Sequence, residues 1–183
     1  MLDDAFIVSS HTEGFFQVIN LEENTVSDLA SQPFGPVANT WGVEVFNMRP
    51  EGEPQVVFIP STNGLYQCSV TPEGQFVYSM EVFYEGINVT NSVFINEDQM
   101  LISLQFDEDG DGDEEWNKLV ILDLDTREEL VVIAPEAAVN ILDICRIPCA
   151  DLEENPYFIL HTSKGIQLVN SAKRKAYDLA QNA

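Results

Sequence analysis

Short apolar segments alternate with polar turns along the whole chain. The segments "AFIVSSHTEG", "QVVFIPSTNG" and "YFILHTSKG" each run into a polar turn that contains a glycine, and a second apolar segment leaves each turn. These segments are short, are rich in Val, Ile, Phe and Tyr, and are bounded by Gly, Pro, Asn or Asp, which is typical of β-strands joined by hairpins. The pattern therefore predicts an all-β chain.

The hairpin pattern repeats at a spacing of about fifty residues. Thr12, Thr62 and Thr162 each precede a glycine, and their spacing places a further unit near residue 112, where a longer acidic loop replaces the short turn. Strand-like segments such as "TWGVEVFNM" precede the hairpin in the later units, which gives four strands per unit. We predict a single domain over residues 1–183 with four units, at approximately 1–36, 37–85, 86–136 and 137–183, the first of them without its inner strand.

One segment carries a family resemblance. "KLVILDLDTREELVVI" resembles the third and fourth strands of a WD-repeat-type β-propeller blade, with Leu122 where that family usually has tryptophan and Asp123 as the acidic partner. Asn20, Ser69 and Asn170 fall at about the Asp123 column in the other units. The resemblance implies a β-propeller, or a portion of one, with about four four-stranded antiparallel blades. A β-sandwich is the structural alternative.

The number of units bears on how such a ring would close. Propellers usually have four to eight blades, so four units lie at the lower limit. We expect the chain to be a segment of a longer propeller or to be completed by a second copy or another protein, because an uncovered blade exposes a sheet edge and an apolar face. Closure as a compact four-bladed ring is the alternative.

The acidic stretch "FDEDGDGDEEW" has the spacing of a calcium loop. Asp107, Asp109 and Asp111 occupy the first, third and fifth positions of a D-x-D-x-D-G pattern, Gly112 the sixth, and Glu115 the ninth. Carboxylate oxygens two residues apart can converge on one hard cation, and the glycine permits the sharp turn. The pattern therefore predicts a Ca²⁺ site.

The flanks of this loop differ from those of a helix-flanked EF-hand. Lys118 occupies the twelfth position, where an EF-hand has glutamate, and both flanking segments have the pattern of strands. The hairpin resembles the calcium loops of integrin α-chain propellers, which implies that Glu115 completes the coordination shell and that Asp113 offers its backbone carbonyl. The alternative is a solvated acidic turn.

The charge balance restricts the partners of the chain. Eight Lys and Arg stand against 31 Asp and Glu, for a net charge of −23. Such a charge argues against nucleic acid and against an anionic membrane surface, and it leaves a cation or a basic segment of a protein partner. The sequence has no apolar run long enough to span a bilayer and no signal-peptide pattern at its start, so we expect a cytoplasmic protein.

Signatures of catalysis are missing from the sequence. The three cysteines are an odd number, as expected of reduced thiols, and His11 and His161 occupy corresponding hairpin turns. We therefore expect a non-catalytic protein-interaction scaffold and no enzyme. The alternative is a metal-dependent hydrolase or lactonase of propeller type, in which acids such as Glu44 or Asp143 would converge on a central ion. The basic turn 173–175 could dock on a second copy, although a solvated turn would have the same composition.

Overall fold

The computed structural model describes residues 6–10, 16–21, 23–29, 44–46, 55–71, 76–107, 115–134, 139–147 and 157–181. These residues form fifteen strands in four antiparallel sheets, which confirms the all-β prediction. In this part of the chain there is no helix with the length and apolar character needed to cross a membrane.

Each sheet is built from strands that follow one another in the sequence. The first sheet contains β1 Phe6–Ser10, β2 Phe16–Asn20 and β3 Thr25–Leu29. The second contains β4 Glu44–Phe46, β5 Gln55–Ser61, β6 Gly64–Val70 and β7 Phe76–Phe83. The third contains β8 Asn88–Phe94, β9 Gln99–Asp107, β10 Glu115–Asp123 and β11 Glu129–Ile133. The fourth contains β12 Ile141–Arg146, β13 Tyr157–Thr162, β14 Gly165–Asn170 and β15 Lys175–Gln181.

The sheets follow the sequence repeat. Each sheet lies inside one of the four predicted units, and the first is described with three strands where the others have four. The chain divides into two compact units, Met1–Val89 and Thr90–Ala183, so the third and fourth sheets belong essentially to the second unit.

The turn between the last two strands has the same form in three of the sheets. The first residue of the turn, at position i, pairs with residue i+5 on the next strand. Residue i+4, the last residue before that strand partner, has a positive φ. The first residues are Asn20, Asp123 and Asn170, and the positive-φ residues are Asn24 (52°), Arg127 (61°) and Arg174 (56°). The residues that align with Asp123 in the sequence repeat, Asn20 and Asn170, therefore occupy the same position in the turn as Asp123 does. The turn after Ser69 includes residues 72–75, which lie outside the described residues.

The hairpin between the second and third strands is closed by a hydroxyl group in two of the four-stranded sheets. The Ser61 hydroxyl donates to the Gly64 carbonyl oxygen at 2.8 Å and accepts the Asn63 N–H at 3.1 Å. The Thr162 hydroxyl donates to the Gly165 carbonyl oxygen at 2.8 Å and accepts the Lys164 N–H at 3.3 Å. The two hairpins therefore correspond through Ser61 and Thr162, and the sequence alignment of Thr62 with Thr162 was wrong by one position.

Glycine is required at the end of these hairpins. Gly64 has a φ of +129°, and a Cβ atom there would lie 2.9 Å from the Phe83 carbonyl oxygen. Gly165 has a nearly identical φ of +131°. Because a side chain is strained at such a φ, the glycines keep β6 and β14 in register with the preceding strands.

The hydrophobic core of the second unit lies between the third and fourth sheets. One face of each sheet contributes to a single buried cluster, which contains Val93, Ile95, Leu101, Leu119, Ile121, Ile133, Ile141, Ile144, Phe158, Leu160 and Val169. Alternate residues of β13 enter this cluster because successive side chains of a strand point to opposite faces. The two sheets thus pack face to face.

Candidate functional site: the acidic hairpin and the sheets that support it

The acidic loop is carried by the longest strand pair of the protein as described. β9 and β10 pair over nine residues each, and the pairing continues up to Asp107 opposite Glu115. Directly paired residues of antiparallel strands have Cα atoms about 5 Å apart, so the first and ninth positions of the predicted calcium loop are held close together. Strand pairing therefore fixes the distance between the two ends of the loop.

The remaining predicted ligands are not placed. Asp109, Asp111 and Asp113 belong to residues 108–114, which lie outside the described residues, and only the backbones of Asp107 and Glu115 are described. Within the described residues no group of three or more His, Cys, Asp or Glu side chains could hold a metal ion. The Ca²⁺ site therefore stays a prediction.

A buried polar chain supports the hairpin strands. The Thr90 hydroxyl donates to the Ser103 hydroxyl at 3.0 Å, and the Ser103 hydroxyl donates to Asn117 Oδ1 at 3.5 Å. Asn117 Oδ1 also accepts the backbone N–H of Ile141 at 2.7 Å. Asn117 and Ser103 are 1% and 0% exposed, so this chain stabilises the contact of the third sheet with β12 without help from solvent.

Sequence reasoning missed these polar residues. Ser103 and Asn117 interrupt the apolar runs "LISLQF" and "WNKLVIL", and this interruption was the available signal. A polar residue in a strand that is buried on both faces must find a hydrogen-bond partner inside the protein. The partner here is a backbone N–H of the following sheet, which no local pattern could identify.

An arginine joins the two sheets at the other end of β12. The Arg146 guanidinium donates to the carbonyl oxygens of Phe94 at 3.3 Å and Ile95 at 3.0 Å. It also lies 5.9 Å from the centre of the Phe158 ring, within the range of a cation–π contact. Because Asn117 binds the first residue of β12 and Arg146 is the last, the third and fourth sheets are connected at both ends of this strand.

A polar cleft lies beside the turns of the third and fourth sheets. It has a volume of about 250 Å³, and carboxylates from Asp123, Glu128 and Glu129 line it together with Arg174. Two of these carboxylates are engaged locally: Asp123 accepts the Thr126 N–H at 2.8 Å, and Glu129 pairs with Lys118 at 2.6 Å. The hydrogen bonds from Thr126 lower the pKa of Asp123. Asp123 therefore stabilises its turn, and Glu129 links β11 to Lys118 of β10.

The residues considered for catalysis are dispersed or lie outside the described part of the chain. Asp143 is exposed on β12, where its Oδ1 accepts the Ile144 N–H at 2.8 Å and its Oδ2 accepts the Cys145 S–H at 3.5 Å. Only the backbone of Glu44 is described, in β4. His161 is exposed on β13, and His11 lies outside the described residues.

The two described cysteines differ in environment. Cys68 is buried in β6, and burial raises the pKa of its thiol to about 12. Cys145 is exposed on β12, and partial desolvation together with the Asp143 carboxylate raises its pKa. Cys149 lies outside the described residues, so the "CRIPC" pair is not assembled into a site here.

Comparisons with known proteins give a likeness of fold. No family model matches the chain, and no curated protein matches it. Among solved structures, the chain is similar to the extracellular domain of a putative one-component system from B. thetaiotaomicron, with a TM-score of 0.60 and 12% sequence identity. The match covers 100% of this chain and 22% of that chain, so this chain spans about a fifth of that length. At this identity the likeness concerns the fold alone.

Proposed function

We propose that this chain is a non-catalytic protein-interaction scaffold, built as a β-propeller or as a segment of one. The observation that carries the proposal is the repetition of sheets made from consecutive antiparallel strands, in the order in which propeller blades are built. The packing of the third sheet on the fourth would also suit a β-sandwich, and the regular recurrence of the same sheet along the chain is our reason for preferring the propeller.

A calcium-binding hairpin is the second part of the proposal. Asp107, Asp109, Asp111, Asp113 and Glu115 would provide the oxygen ligands, and the pairing of Asp107 with Glu115 supports this assignment because it holds the loop ends together. Binding would order the loop, since closely spaced carboxylates repel one another until a divalent ion neutralises them. The partner we expect for the scaffold is another protein, because a net charge of −23 disfavours nucleic acid and anionic membranes.

Calorimetric titration with CaCl₂ tests the hairpin. We expect the wild-type chain to bind one Ca²⁺ and the Asp109→Asn/Asp111→Asn variant to lose the heat of binding. The matched control is Glu97→Gln/Asp98→Asn, which removes two carboxylates from the exposed turn between β8 and β9. This control should bind Ca²⁺ as the wild type does.

Two results would contradict the calcium assignment. One is the absence of heat from the wild-type chain at millimolar Ca²⁺, which would leave a solvated acidic turn. The other is an equal loss of binding in the loop variant and in the turn control, which would indicate a diffuse effect of charge and no localised site.

A further inference from the structure

The outer face of the fourth sheet has apolar side chains that are partly exposed among the described residues of the second unit. We define this outer face by Ile159, Ile166, Leu168 and Tyr177. Ile159, Leu168 and Tyr177 are paired across β13, β14 and β15, so their side chains point to the same side, as does Ile166 two residues before Leu168. Ile159 is 37% exposed, and Ile166 and Tyr177 are each 42% exposed. The opposite face of the same sheet is buried in the core of the second unit.

Exposed apolar side chains are concentrated on this sheet. Within the part of the chain that the structure describes, six of the nine exposed large hydrophobic residues belong to the fourth sheet. Scattered single residues of this kind are ordinary on a protein surface, but a contiguous group on one sheet face marks an interaction surface.

The corresponding positions of the second sheet are buried. Because Ser61 corresponds to Thr162, Phe58 corresponds to Ile159 and Leu65 to Ile166. Phe58 and Leu65 are 1% and 0% exposed. The same apolar positions of the repeat are therefore buried in the second sheet and partly exposed in the fourth.

The charge at the borders of the outer face is opposite to that of the rest of the protein. Residues 157–183 contain four basic residues and one acidic residue, a local charge of +3 in a chain whose net charge is −23. The basic residues are exposed in the turns and at the start of β15, at Lys164, Lys173, Arg174 and Lys175. An occupant with an apolar sheet face and acidic borders would therefore match this surface.

From this complementarity we propose that a second copy of the chain covers the outer face of the fourth sheet. Its first sheet offers part of the required surface, because Val26 of β3 is 58% exposed, and Leu21, which is 47% exposed, and Glu23 lie in the exposed turn that precedes β3. Contact of the fourth sheet of one copy with the first sheet of the next is a head-to-tail arrangement, which closes if two copies form a ring. The inference rests on the proposed scaffold function and names one of its partners.

Sedimentation equilibrium over protein concentrations up to about 100 µM tests the inference. We expect the wild-type chain, of 20.5 kDa, to form a dimer. The Ile159→Ser/Ile166→Ser variant should weaken the association constant by about tenfold or more, because it removes apolar contacts from the centre of the surface. The matched control is Val131→Ser, since Val131 is 47% exposed on β11 of the third sheet.

A second variant probes the charge of the borders. Lys173→Glu/Lys175→Glu should associate more weakly than the wild type, since it places like charges opposite each other. The difference from the wild type should grow as the salt concentration is lowered, because salt screens the repulsion. Circular dichroism and thermal unfolding of each variant check that it is folded. A wild-type monomer throughout the concentration range would overturn the inference, and so would a dimer that resists both variants.

The result can be separated from the test of the proposed function. Ile159→Ser/Ile166→Ser should retain the heat of Ca²⁺ binding, because both positions are in the fourth sheet and the acidic hairpin is in the third. A chain that binds Ca²⁺ but never dimerises would overturn the present inference alone. A chain that dimerises through the outer face without binding Ca²⁺ would overturn the calcium assignment alone.

Discussion

The third and fourth sheets have the same strand order but differ in burial. In β9 of the third sheet the five consecutive residues 100–104 are buried, so both faces of the strand are covered. In β13 of the fourth sheet buried and exposed residues alternate, so one face is covered and the other is open. Both strands are apolar in sequence, and the comparison shows that a neighbouring surface decides whether an apolar strand is buried on one face or on two.

The largest expected effect comes from truncating adjacent residues on the two central strands. In β9, Leu101→Ala and Ile102→Ala should each lower the free energy of unfolding by about 2–5 kcal/mol, because each leaves a cavity. In β13, Leu160→Ala should cost about the same, whereas Ile159→Ala should cost less than about 1.5 kcal/mol. Urea unfolding at low protein concentration measures these differences, and comparable costs for Leu160→Ala and Ile159→Ala would disprove the one-sided burial of the fourth sheet.

A smaller effect is expected at the polar contact between the two sheets. Asn117→Ala should lower the free energy of unfolding by about 1–3 kcal/mol, because the buried N–H of Ile141 loses its acceptor. Asn96→Ala is the matched control, since Asn96 also accepts a backbone N–H but lies in an exposed turn. If the two variants cost the same in a urea titration, the contact of Asn117 with Ile141 does not stabilise the sheet pair.

The reactivity of two thiols tests the difference between the buried strand β6 and the partly exposed strand β12. In a Cys149→Ser background, iodoacetamide should modify Cys145 at least about a hundredfold faster than Cys68, because Cys68 is buried and its pKa is about 12. Mass spectrometry of the two cysteine peptides gives both rates from one sample. Equal rates in the native protein would contradict the burial of β6, and unfolding in urea should remove the difference.

The smallest effect concerns the turns that the two sheets share. Thr126 lowers the pKa of Asp123 in the third sheet, whereas the corresponding residue of the fourth sheet, Asn170, cannot titrate. A lowered folded-state pKa means that the carboxylate contributes stability above its unfolded pKa and that this contribution is lost as the pH falls through its folded pKa. Thr126→Ala removes the hydrogen bond from the Thr126 hydroxyl, at 2.9 Å, and keeps the one from the backbone N–H, so it should raise the pKa of Asp123 part of the way toward its ordinary value in an NMR titration. An unchanged pKa would show that the hydrogen bond from the Thr126 hydroxyl is not formed in solution.

Strands and turns were predictable from the sequence because they depend on local order. The repeat identified the hairpins, and the column of Asn20, Asp123 and Asn170 recurs at one turn position. The choice of Thr62 instead of Ser61 failed because both are hydroxyl residues at adjacent positions, and only the hydrogen bond to Gly64 distinguishes them.

Contacts between sheets were beyond the reach of the sequence. The bond from Ile141 to Asn117 joins residues 24 positions apart, and the pairing of Arg146 with the carbonyl oxygens of Phe94 and Ile95 spans more than fifty. The exposure of Ile159 was equally unpredictable, because an apolar residue in a strand has the same local signal whether or not another surface covers it. The calcium pattern at residues 107–115 stays a prediction.

Hydroxyl-radical labelling tests the central claim of an apolar face that a second copy covers. Mass spectrometry would compare Tyr177 and Ile159 of the outer face with Phe58 and Leu65 of the second sheet, at about 1 µM and about 100 µM protein. We predict that the first pair is labelled readily in the dilute sample and becomes protected in the concentrated one, while the second pair is protected in both. Labelling of Tyr177 and Ile159 that does not change with concentration would contradict the account.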